Sequence, residues 1–347
     1  AYADVYSISP KEVAFYIQDK MEFDDMVINV GVRYDQFDPE SVYPSDRRNP
    51  ANQLILPDSM MSLYPQAPVI SQISPRVGFA YQLGGQAVLH FSYGHFFQMP
   101  PMYAMYENNS FLVDPNNFVT RMGNTLLEPE KTITYEIGLW QELNQVMALD
   151  VALFYRDIYN LLTTKTISTY NQVKYGLYSN KDYGNVRGLE LKLDLAMGQL
   201  KGMVNYTLQY TRGNADSPGQ TFDRAGNNQD PVNRLIPMGC DQRDTLNGSL
   251  IFGIEKYGGS MTAYYNSGSP YTFAPQSESV LSRINLYPNN DYRPEKYSVD
   301  CSFYYRFKLP GGYNANLDVN IYNLFDRLNE EWVNDQTGRA YTAVIKE

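Results

Sequence analysis

The sequence contains no apolar run long enough to form a membrane-spanning helix. Such a helix needs about 18–20 consecutive apolar residues, whereas the uninterrupted apolar stretches here are short, such as Val13 to Ile17. Mean hydropathy over the 347 residues is -0.43. A helical membrane protein is therefore excluded. A membrane β-barrel is not, because strands that alternate apolar and polar residues average to a polar composition.

Positive charge and cysteine are also scarce. The 28 Lys and Arg residues face 38 Asp and Glu residues, for a net charge of -10, which argues against a nucleic-acid partner because such proteins present a basic face. The sequence also has no cluster of Lys and Arg residues that would bind the anionic lipids of a cytoplasmic leaflet. The two cysteines, Cys240 and Cys301, fall in a loop context and a strand context, so no disulfide is predicted. The first residues show no charged and apolar signal-peptide pattern.

Catalytic and metal-binding patterns are missing as well. The two histidines, His90 and His95, are five positions apart in one strand and should point to opposite faces. No third histidine or cysteine joins them, and no nucleophile elbow or phosphate-binding loop occurs. The acidic loop residues have no EF-hand spacing and are expected to be solvated; they include Asp216, Asp223, Asp230 and Asp241. We therefore predict no enzyme activity, no metal and no cofactor.

What the sequence does contain is tyrosine, with 31 residues spread evenly along the chain. Aromatic residues reach 14%, and tyrosine suits a surface that is apolar on one side and wet at its rim. Membrane barrels carry such aromatic girdles. No shift in composition divides the chain, so residues 1–347 are predicted to form a single β-barrel region.

Alternation with a period of two recurs throughout and predicts strands. In the clearest example, Leu189, Leu191, Leu193 and Leu195 alternate with small or charged residues, namely Gly188, Glu190, Lys192 and Asp194. On a β-strand, these two sets lie on opposite faces. Most of the predicted strands have ten residues or more, as a tilted membrane strand requires. They cover residues 12–22, 26–37, 74–83, 86–97, 131–142, 146–158, 183–195, 199–212, 243–255, 259–267, 295–308, 313–325 and a partial strand from 339.

The connections between these strands alternate strictly between short and long. The short ones lie near residues 23–25, 84–85, 143–145, 197–198, 257–258 and 310–312, and the long ones run over 38–73, 98–130, 159–182, 213–242, 268–294 and 326–338. A barrel with turns at one rim and loops at the other produces this order. The fold class is therefore predicted to be all-β, an antiparallel up-and-down transmembrane β-barrel. A large soluble all-β protein remains the alternative.

Seven motifs extend this prediction to a family. They follow one another over nearly the whole chain, as Val13-Ala14-Phe15-Tyr16-Ile17-Gln18-Asp19 with Asn29-Val30-Gly31-Val32-Arg33-Tyr34-Asp35, Ser74-Pro75-Arg76-Val77-Gly78-Phe79-Ala80-Tyr81, Ser92-Tyr93-Gly94-His95-Phe96-Phe97-Gln98-Met99-Pro100, Leu127-Glu128-Pro129-Glu130-Lys131-Thr132 with Tyr135-Glu136-Ile137-Gly138-Leu139, Phe154-Tyr155-Arg156-Asp157-Ile158-Tyr159-Asn160-Leu161, Gly184-Asn185-Val186-Arg187-Gly188-Leu189-Glu190, and Ile321-Tyr322-Asn323-Leu324-Phe325-Asp326. In this order and spacing the sequence resembles the later barrel strands of a TonB-dependent outer-membrane receptor.

The resemblance implies a 22-stranded barrel in the bacterial outer membrane, filled by an N-terminal plug that contacts TonB. This sequence departs from that pattern because it has about 13 predicted strands, no plug and no terminal aromatic strand. It is therefore expected to be a fragment that lacks the plug domain and the last strand. Because an odd number of strands cannot close such a barrel, the sheet is expected to be open or to be completed by residues outside this sequence.

The implied function is TonB-energised uptake of a scarce ligand, such as a siderophore, cobalamin or a glycan. The alternative is a passive outer-membrane pore or a surface adhesion barrel without enzymatic activity. The expected partners are outer-membrane lipid, the protein's own plug domain, the TonB complex and a small-molecule or glycan ligand, with no nucleic acid.

Two groups of site residues are predicted. Charged residues within strands are assigned to the barrel interior, where they line the ligand path or contact the plug; they are Arg33, Arg76, Glu136, Arg156, Arg187, Glu190, Lys192 and Arg243. Solvation of the interior and lateral ion pairs would also explain them. In the second long loop, Tyr103, Tyr106 and Arg121 are predicted to contact ligand, with packing of loop against loop as the alternative.

Overall fold

The computed structural model describes residues 6–53, 56–275 and 286–342. Twelve long strands form one continuous sheet, which we call the wall. In chain order they are β1 (Lys11–Glu22), β2 (Met26–Asp38), β3 (Ile70–Leu83), β4 (Ala87–Gln98), β5 (Glu130–Asn144), β6 (Met147–Ser168), β7 (Lys174–Met197), β8 (Leu200–Gly213), β9 (Asp244–Gly253), β10 (Tyr257–Asn266), β11 (Lys296–Lys308) and β12 (Asn314–Ile321).

Neighbouring wall strands follow sequence order, and every adjacent pair is antiparallel. Short turns join them at one end, and long connections join them at the other. This confirms the predicted all-β, up-and-down arrangement. Within the described residues, β1 pairs only with β2 and β12 only with β11, so the sheet is open.

Where the structure describes them, the long connections contain only small elements. Two short helices, α1 (Met102–Tyr106) and α2 (Gln220–Gly226), and a 3-10 turn at Asp58–Met60 occur there. The short loop strands are Arg121–Met122, Ile236–Pro237, Pro270–Tyr271, Asp291–Tyr292, Glu330–Val333 and Ala340–Thr342. No helix among the described residues has both the length and the apolarity needed to cross a membrane.

Two predictions about strands were wrong. The partial strand predicted from residue 339 contains Ala340–Thr342, but this segment pairs with Glu330–Val333 in a separate hairpin and not with the wall. The described wall therefore has twelve strands rather than thirteen, which removes the argument from an odd number. Residues 343–347 of the predicted strand lie outside the described residues.

The predicted loop at 159–182 was also wrong, because β6 and β7 continue through it as a long hairpin. The register shifts between Ile158 and Leu162, and Asn160 adopts a positive φ of 60°. A bulge of this kind reverses which side chains face each side. The bulge interrupts the period-two pattern, and for this reason the sequence predicted the end of a strand where the backbone continues as one.

The register of the wall aligns apolar residues into rows that cross the strands. One row runs through eight neighbouring strands and is wholly apolar: Met21, Ile28, Phe79, Phe91, Ile137, Leu153, Leu189 and Leu208. The adjacent row on the other face includes His90, Gly138, Glu190 and Thr207. Since charged groups in hydrocarbon are costly, the apolar face is the lipid side.

The leucine row confirms this distinction between the two faces. Leu189, Leu191 and Leu193 are partly exposed, and none is buried beneath a second layer. A soluble sandwich would bury such a row against another sheet. The uncovered row therefore fits a wall that faces lipid.

The inner face is packed closely at two glycines. A Cβ at Gly188 would meet the backbone carbonyl of Leu208 and lie 2.5 Å from the Phe154 ring. At Gly138, a Cβ would collide with the imidazole of His90, which lies 3.3 Å from the Asp150 carboxylate. Glycine at these positions lets large inward side chains cross the neighbouring strand.

The first prediction tests which face meets lipid. Leu191→Arg should lower the free energy of unfolding of the membrane-inserted protein by about 2–4 kcal/mol, because the guanidinium would enter hydrocarbon. Lys192→Leu is the matched control on the opposite face. It removes only an exposed ion pair with Asp194 and should cost at most about 1 kcal/mol. Denaturant titration in lipid vesicles measures both values, and equal costs would contradict the assignment.

A second prediction concerns the close packing at Gly188. Gly188→Ala should destabilise the barrel by about 1–3 kcal/mol, because the added methyl group overlaps Phe154 and the β8 backbone. Gly78→Ala serves as the control, since its Cβ would lie no closer than 3.7 Å to Asn29. The same denaturant titration should show little change for that variant. A larger loss at Gly78 than at Gly188 would refute the packing argument.

Candidate functional site

The long connections fold together into a structure that we call the cap, comprising the described parts of residues 39–69, 99–129, 159–183, 214–243, 267–295 and 322–342. Its core contains buried side chains from several of these segments and from the adjoining end of β2. One cluster consists of Phe37, Ala104, Met105, Tyr106, Leu127, Leu162 and Tyr178. A second consists of Phe111, Met122, Tyr175 and Leu177. The cap is therefore a packed structure rather than a set of independent loops.

Tyr106, which the sequence predicted to contact ligand, lies in this core. Its side chain is 2% exposed, and its hydroxyl donates a hydrogen bond to the carbonyl of Pro39 at 3.0 Å. Burial raises the pKa of Tyr106 to about 12. A ligand cannot reach this ring unless the cap opens. Packing of loop against loop, the alternative that the sequence left open, is the observed role.

The other two predicted ligand residues lie on the cap surface. Tyr103 is 47% exposed and packs edge-on against Tyr178, with ring centroids 5.7 Å apart. Arg121 donates from Nη2 to both carboxylate oxygens of Asp223, at 2.7 and 2.8 Å. This hydrogen bond raises the pKa of the Arg121 guanidinium. Arg121 thus joins the second long loop to α2, while Tyr103 stays accessible.

A half-buried arginine that the sequence analysis missed organises the same region. Arg47 donates to the side-chain oxygen of Asn124 at 2.8 Å, and its backbone carbonyl accepts from the Tyr175 hydroxyl at 2.7 Å. Burial lowers the pKa of its guanidinium. Asn124 also donates to the carbonyl of Tyr178. These contacts span 77 and 128 positions, so no local pattern could indicate them.

The acidic loop residues were expected to be solvated, which is wrong for Asp241. This residue is fully buried, and its carboxylate accepts from the backbone N–H of Thr211 at 2.5 Å. Asp216 accepts similarly from the backbone N–H of Gly239. Both carboxylates satisfy backbone donors where loop 214–243 leaves β8. No cluster of three or more potential metal ligands occurs among the described residues.

A large cavity of the cap lies among its last three loops and has a volume of about 1060 Å³. Its lining is mainly polar and includes Asn227, Asn228, Gln229, Asn233, Asp335 and Gln336. The guanidinium of Arg234 lies over the Tyr287 ring, 4.8 Å from its centroid. Arg224 is held by two hydrogen bonds to the carbonyl of Asp230, at 3.0 and 2.7 Å. The cavity therefore presents amides, carboxylates and one guanidinium–aromatic pair.

The inner face of the wall carries most of the predicted interior charges. Arg33 pairs with the buried Asp35 at 2.8 Å, and the Arg76 guanidinium lies 4.6 Å from the centroid of the Phe96 ring. Both arginines line a recess of about 420 Å³ in which Gly31, Gly78 and Gly94 remove side chains. A segment packed against the wall would find room and charge there.

The remaining inner residues lie in the same set of rows. Glu136 is opposite Phe154, whose ring is 5.0 Å from the guanidinium of Arg156. Glu190 and Lys192 follow on β7, and Lys192 pairs with Asp194 at 3.0 Å. Lateral packing and ion pairs account for these contacts.

Arg243 precedes β9, and its contacts lie where the cap meets β8, because its guanidinium is also 5.3 Å from the centroid of the Tyr210 ring. Its guanidinium lies 4.5 Å from the Tyr292 ring centroid and 3.7 Å from the Asp241 carboxylate. Arg243 therefore belongs with the base of the cap.

Arg187 was assigned to the wrong face. It lies opposite Tyr155 and Tyr210, in the row that continues through Tyr135 and Tyr93 on the lipid side. It is three positions from Glu190, and an odd spacing along a regular strand places two side chains on opposite faces. A charged residue on a strand therefore does not by itself mark the interior face, whereas its spacing from the apolar row does.

A meander of long strands with an apolar outer face, a charged inner face, short turns at one end and a large cap at the other defines the wall of a membrane β-barrel. A family model described as TonB dependent receptor-like, beta-barrel matches residues 2–324. The chain belongs to this family. No curated protein matches it.

Solved structures show the same fold. The ferric-catecholate import receptor Fiu from Escherichia coli K12 is 17% identical, with a TM-score of 0.57, and the match covers 95% of this chain and 42% of that one. The FrpB iron transporter from Neisseria meningitidis (F3-3 variant) is 16% identical, with a TM-score of 0.57 and coverages of 93% and 42%.

The outer membrane transporter YddB from Escherichia coli is 13% identical, with a TM-score of 0.62 and coverages of 95% and 43%. The chain thus spans less than half the length of these proteins. At these identities, the likeness concerns the fold.

The third prediction separates the two tyrosines of α1. Tyr106→Ala should reduce the local stability of the cap by about 3–5 kcal/mol, because it leaves a cavity in the buried cluster. Tyr103→Ala removes an exposed ring and should cost much less. Amide hydrogen exchange over residues 99–129 reports the local opening free energy. Similar exchange in the two variants would contradict the packed cap.

Proposed function

We propose that this chain forms the wall and cell-surface cap of a bacterial outer-membrane receptor for TonB-energised uptake of a scarce ligand. The observation that carries the proposal is the polar cavity of about 1060 Å³ in the cap, on a barrel wall of the TonB-dependent receptor family. Its size matches the upper range of small-molecule sites. The ligand class is a siderophore, cobalamin or a glycan.

The wall supports a route from this cavity to the inner side of the membrane. The inner face carries both signs of charge, including Arg33, Arg76, Glu136, Glu190 and Lys192. In the proposal, these residues hold a plug domain that fills the interior and contacts the TonB complex. The recess at Gly31, Gly78 and Gly94 is where such a plug has room to approach the wall.

In the cap, Arg234 and Tyr287 are the proposed primary contacts, with Tyr103 as an accessible outer contact. A guanidinium stacked on an aromatic ring offers charge, hydrogen-bond donors and a flat apolar surface in one place. Arg121 supports the site by holding α2 through Asp223. Removal of Arg121 should therefore act on the cap's structure rather than directly on ligand.

The fourth prediction tests this cavity with a panel of ferric catecholate, ferric hydroxamate, cobalamin and oligosaccharide probes. For the probe that binds the purified protein, Arg234→Ala and Tyr287→Ala should each raise the dissociation constant by about tenfold, because binding becomes weaker. Arg48→Ala is the matched control, because Arg48 also stacks on a tyrosine, Tyr170, at 4.8 Å but lies outside the cavity lining. Equal losses for all three variants would refute the proposed site.

A second measurement distinguishes energised uptake from the alternative of a passive pore or adhesion barrel. Cells that express the protein should stop accumulating the bound probe when a protonophore collapses the proton gradient, while surface binding persists. The purified protein should show no steady conductance in planar bilayers. Continued uptake with open-channel conductance would favour the pore, and binding without any uptake would favour adhesion.

A further inference from the structure

Arg187 is a charged residue on the lipid side of the wall, and the proposed uptake function does not use it. Its side chain is exposed, and it makes no hydrogen bond or ion pair with any described residue. The residue below it on the same face of β7 is Leu189, which belongs to the apolar row. An arginine beside hydrocarbon is costly unless an anion or water meets it.

The position of Arg187 along the strand sets its height in the membrane. It lies ten residues from Met197, where β7 reaches the short-turn end. At about 3.3 Å per residue and a tilt of about 45°, this corresponds to roughly 23 Å along the membrane normal. The apolar band of a membrane barrel is about 25 Å tall. Arg187 therefore lies at the outer boundary of that band, on the cap side, where lipid headgroups begin.

The neighbours of Arg187 in its row have the composition of an interfacial girdle. Tyr155 and Tyr210 flank it directly, and Tyr135 and Tyr93 continue the row. The rings of Tyr93 and Tyr135 have centroids 5.1 Å apart, and those of Tyr135 and Tyr155 are 6.4 Å apart. Tyrosine is enriched where apolar chains meet headgroups, which independently supports the calculated height.

A second arginine lies one row higher on the same face. Arg212 is opposite Asn185 on β7, so it is the diagonal neighbour of Arg187, at a typical spacing of about 7–8 Å. The Nε of Arg212 is buried and has no hydrogen-bond partner in the described part of the chain. Two guanidinium groups so placed repel each other unless an anion bridges them.

The nearby carboxylate does not serve as that anion. Across β4 to β8, Asp157 is the one acidic residue in these two rows. It accepts hydrogen bonds from the hydroxyl of Tyr183 and from Asn185 at 3.1 Å, and it forms no ion pair with Arg187 or Arg212 among the described residues. On the β9 side, Asp241 accepts from the backbone N–H of Thr211 and lies 3.7 Å from Arg243, and Asp244 accepts from the Tyr206 hydroxyl at 2.7 Å. Among the described residues neither carboxylate forms an ion pair with Arg187 or Arg212, so both guanidinium groups are left without an acidic partner.

We propose that Arg187 and Arg212 form a binding site for the phosphate of a phosphorylated lipid in the outer leaflet. A guanidinium matches a phosphate in geometry through paired N–H donors. The acyl chains of the same lipid would lie along the apolar row that contains Leu189, and the flanking tyrosines would contact the headgroup. A lipid is the natural occupant, because the site faces the hydrocarbon boundary rather than the interior or the cap cavity.

Native mass spectrometry tests the site. The sample is the whole protein, purified from the membranes of cells that express it. The probes are lipid A with two phosphates and the same lipid with both phosphates removed. The wild-type protein should bind the phosphorylated form more tightly, and Arg187→Leu and Arg212→Gln should each reduce that preference by about fivefold. Lys201→Gln, the same loss of charge on the inner face of β8, should leave it unchanged.

Before lipid is added, heat-modifiable mobility on gels shows that each variant is folded, because unheated and heated samples then migrate differently. The proposal is overturned if the folded wild-type protein binds both lipids equally, or if Arg187→Leu retains the full preference for phosphate. It is also overturned if millimolar inorganic phosphate displaces the lipid, because the site would then take a soluble anion. Loss of the preference in Lys201→Gln would indicate an effect of net charge rather than of this site.

Discussion

Every peptide N–H and C=O group that crosses hydrocarbon must find a hydrogen-bond partner inside the protein, because lipid offers none. In this chain, long antiparallel strands meet that requirement, each bonded along its length to the next. Other features follow from it. Strands of this length expose alternate side chains to two different environments. One face is therefore apolar from Met21 to Leu208 along a single row, and the other carries Glu190, Lys192 and the paired Arg33 and Asp35.

The same constraint explains where irregular structure and function are found. Beyond the apolar band, water and other loops can satisfy the backbone, so β6 and β7 can bulge at Asn160 and the connections can become long. The cap is nevertheless ordered by its own buried cluster and by contacts such as that of Arg47 with Asn124. A packed cap can hold an open polar cavity, and largely pre-formed cavities of this kind are typical of small-molecule sites.

The boundary between lipid and water adds a third environment, and the wall marks it with a row of tyrosines that contains Arg187. The aromatic residues, 14% of the chain, thus lie in several different environments. Some tyrosines form this girdle, some, such as Tyr106 and Tyr175, are buried in the cap, and Tyr287 lines the cavity. One residue type serves all three because it combines an apolar ring with a polar tip.

The sequence by itself determined the antiparallel order of the wall strands and the two faces of the wall, but not the continuation of β6 and β7 through residues 159–182. These properties are local, since a period of two and the length of a connection can be seen within some twenty residues. It also carries the odd spacing that places Arg187 and Glu190 on opposite faces of β7. Only the tertiary structure decided that Tyr106 is buried, that Arg121 meets Asp223 across 102 positions, and that three separate loops enclose one cavity. Contacts between distant segments depend on how whole loops pack, and no local pattern of residues encodes that packing.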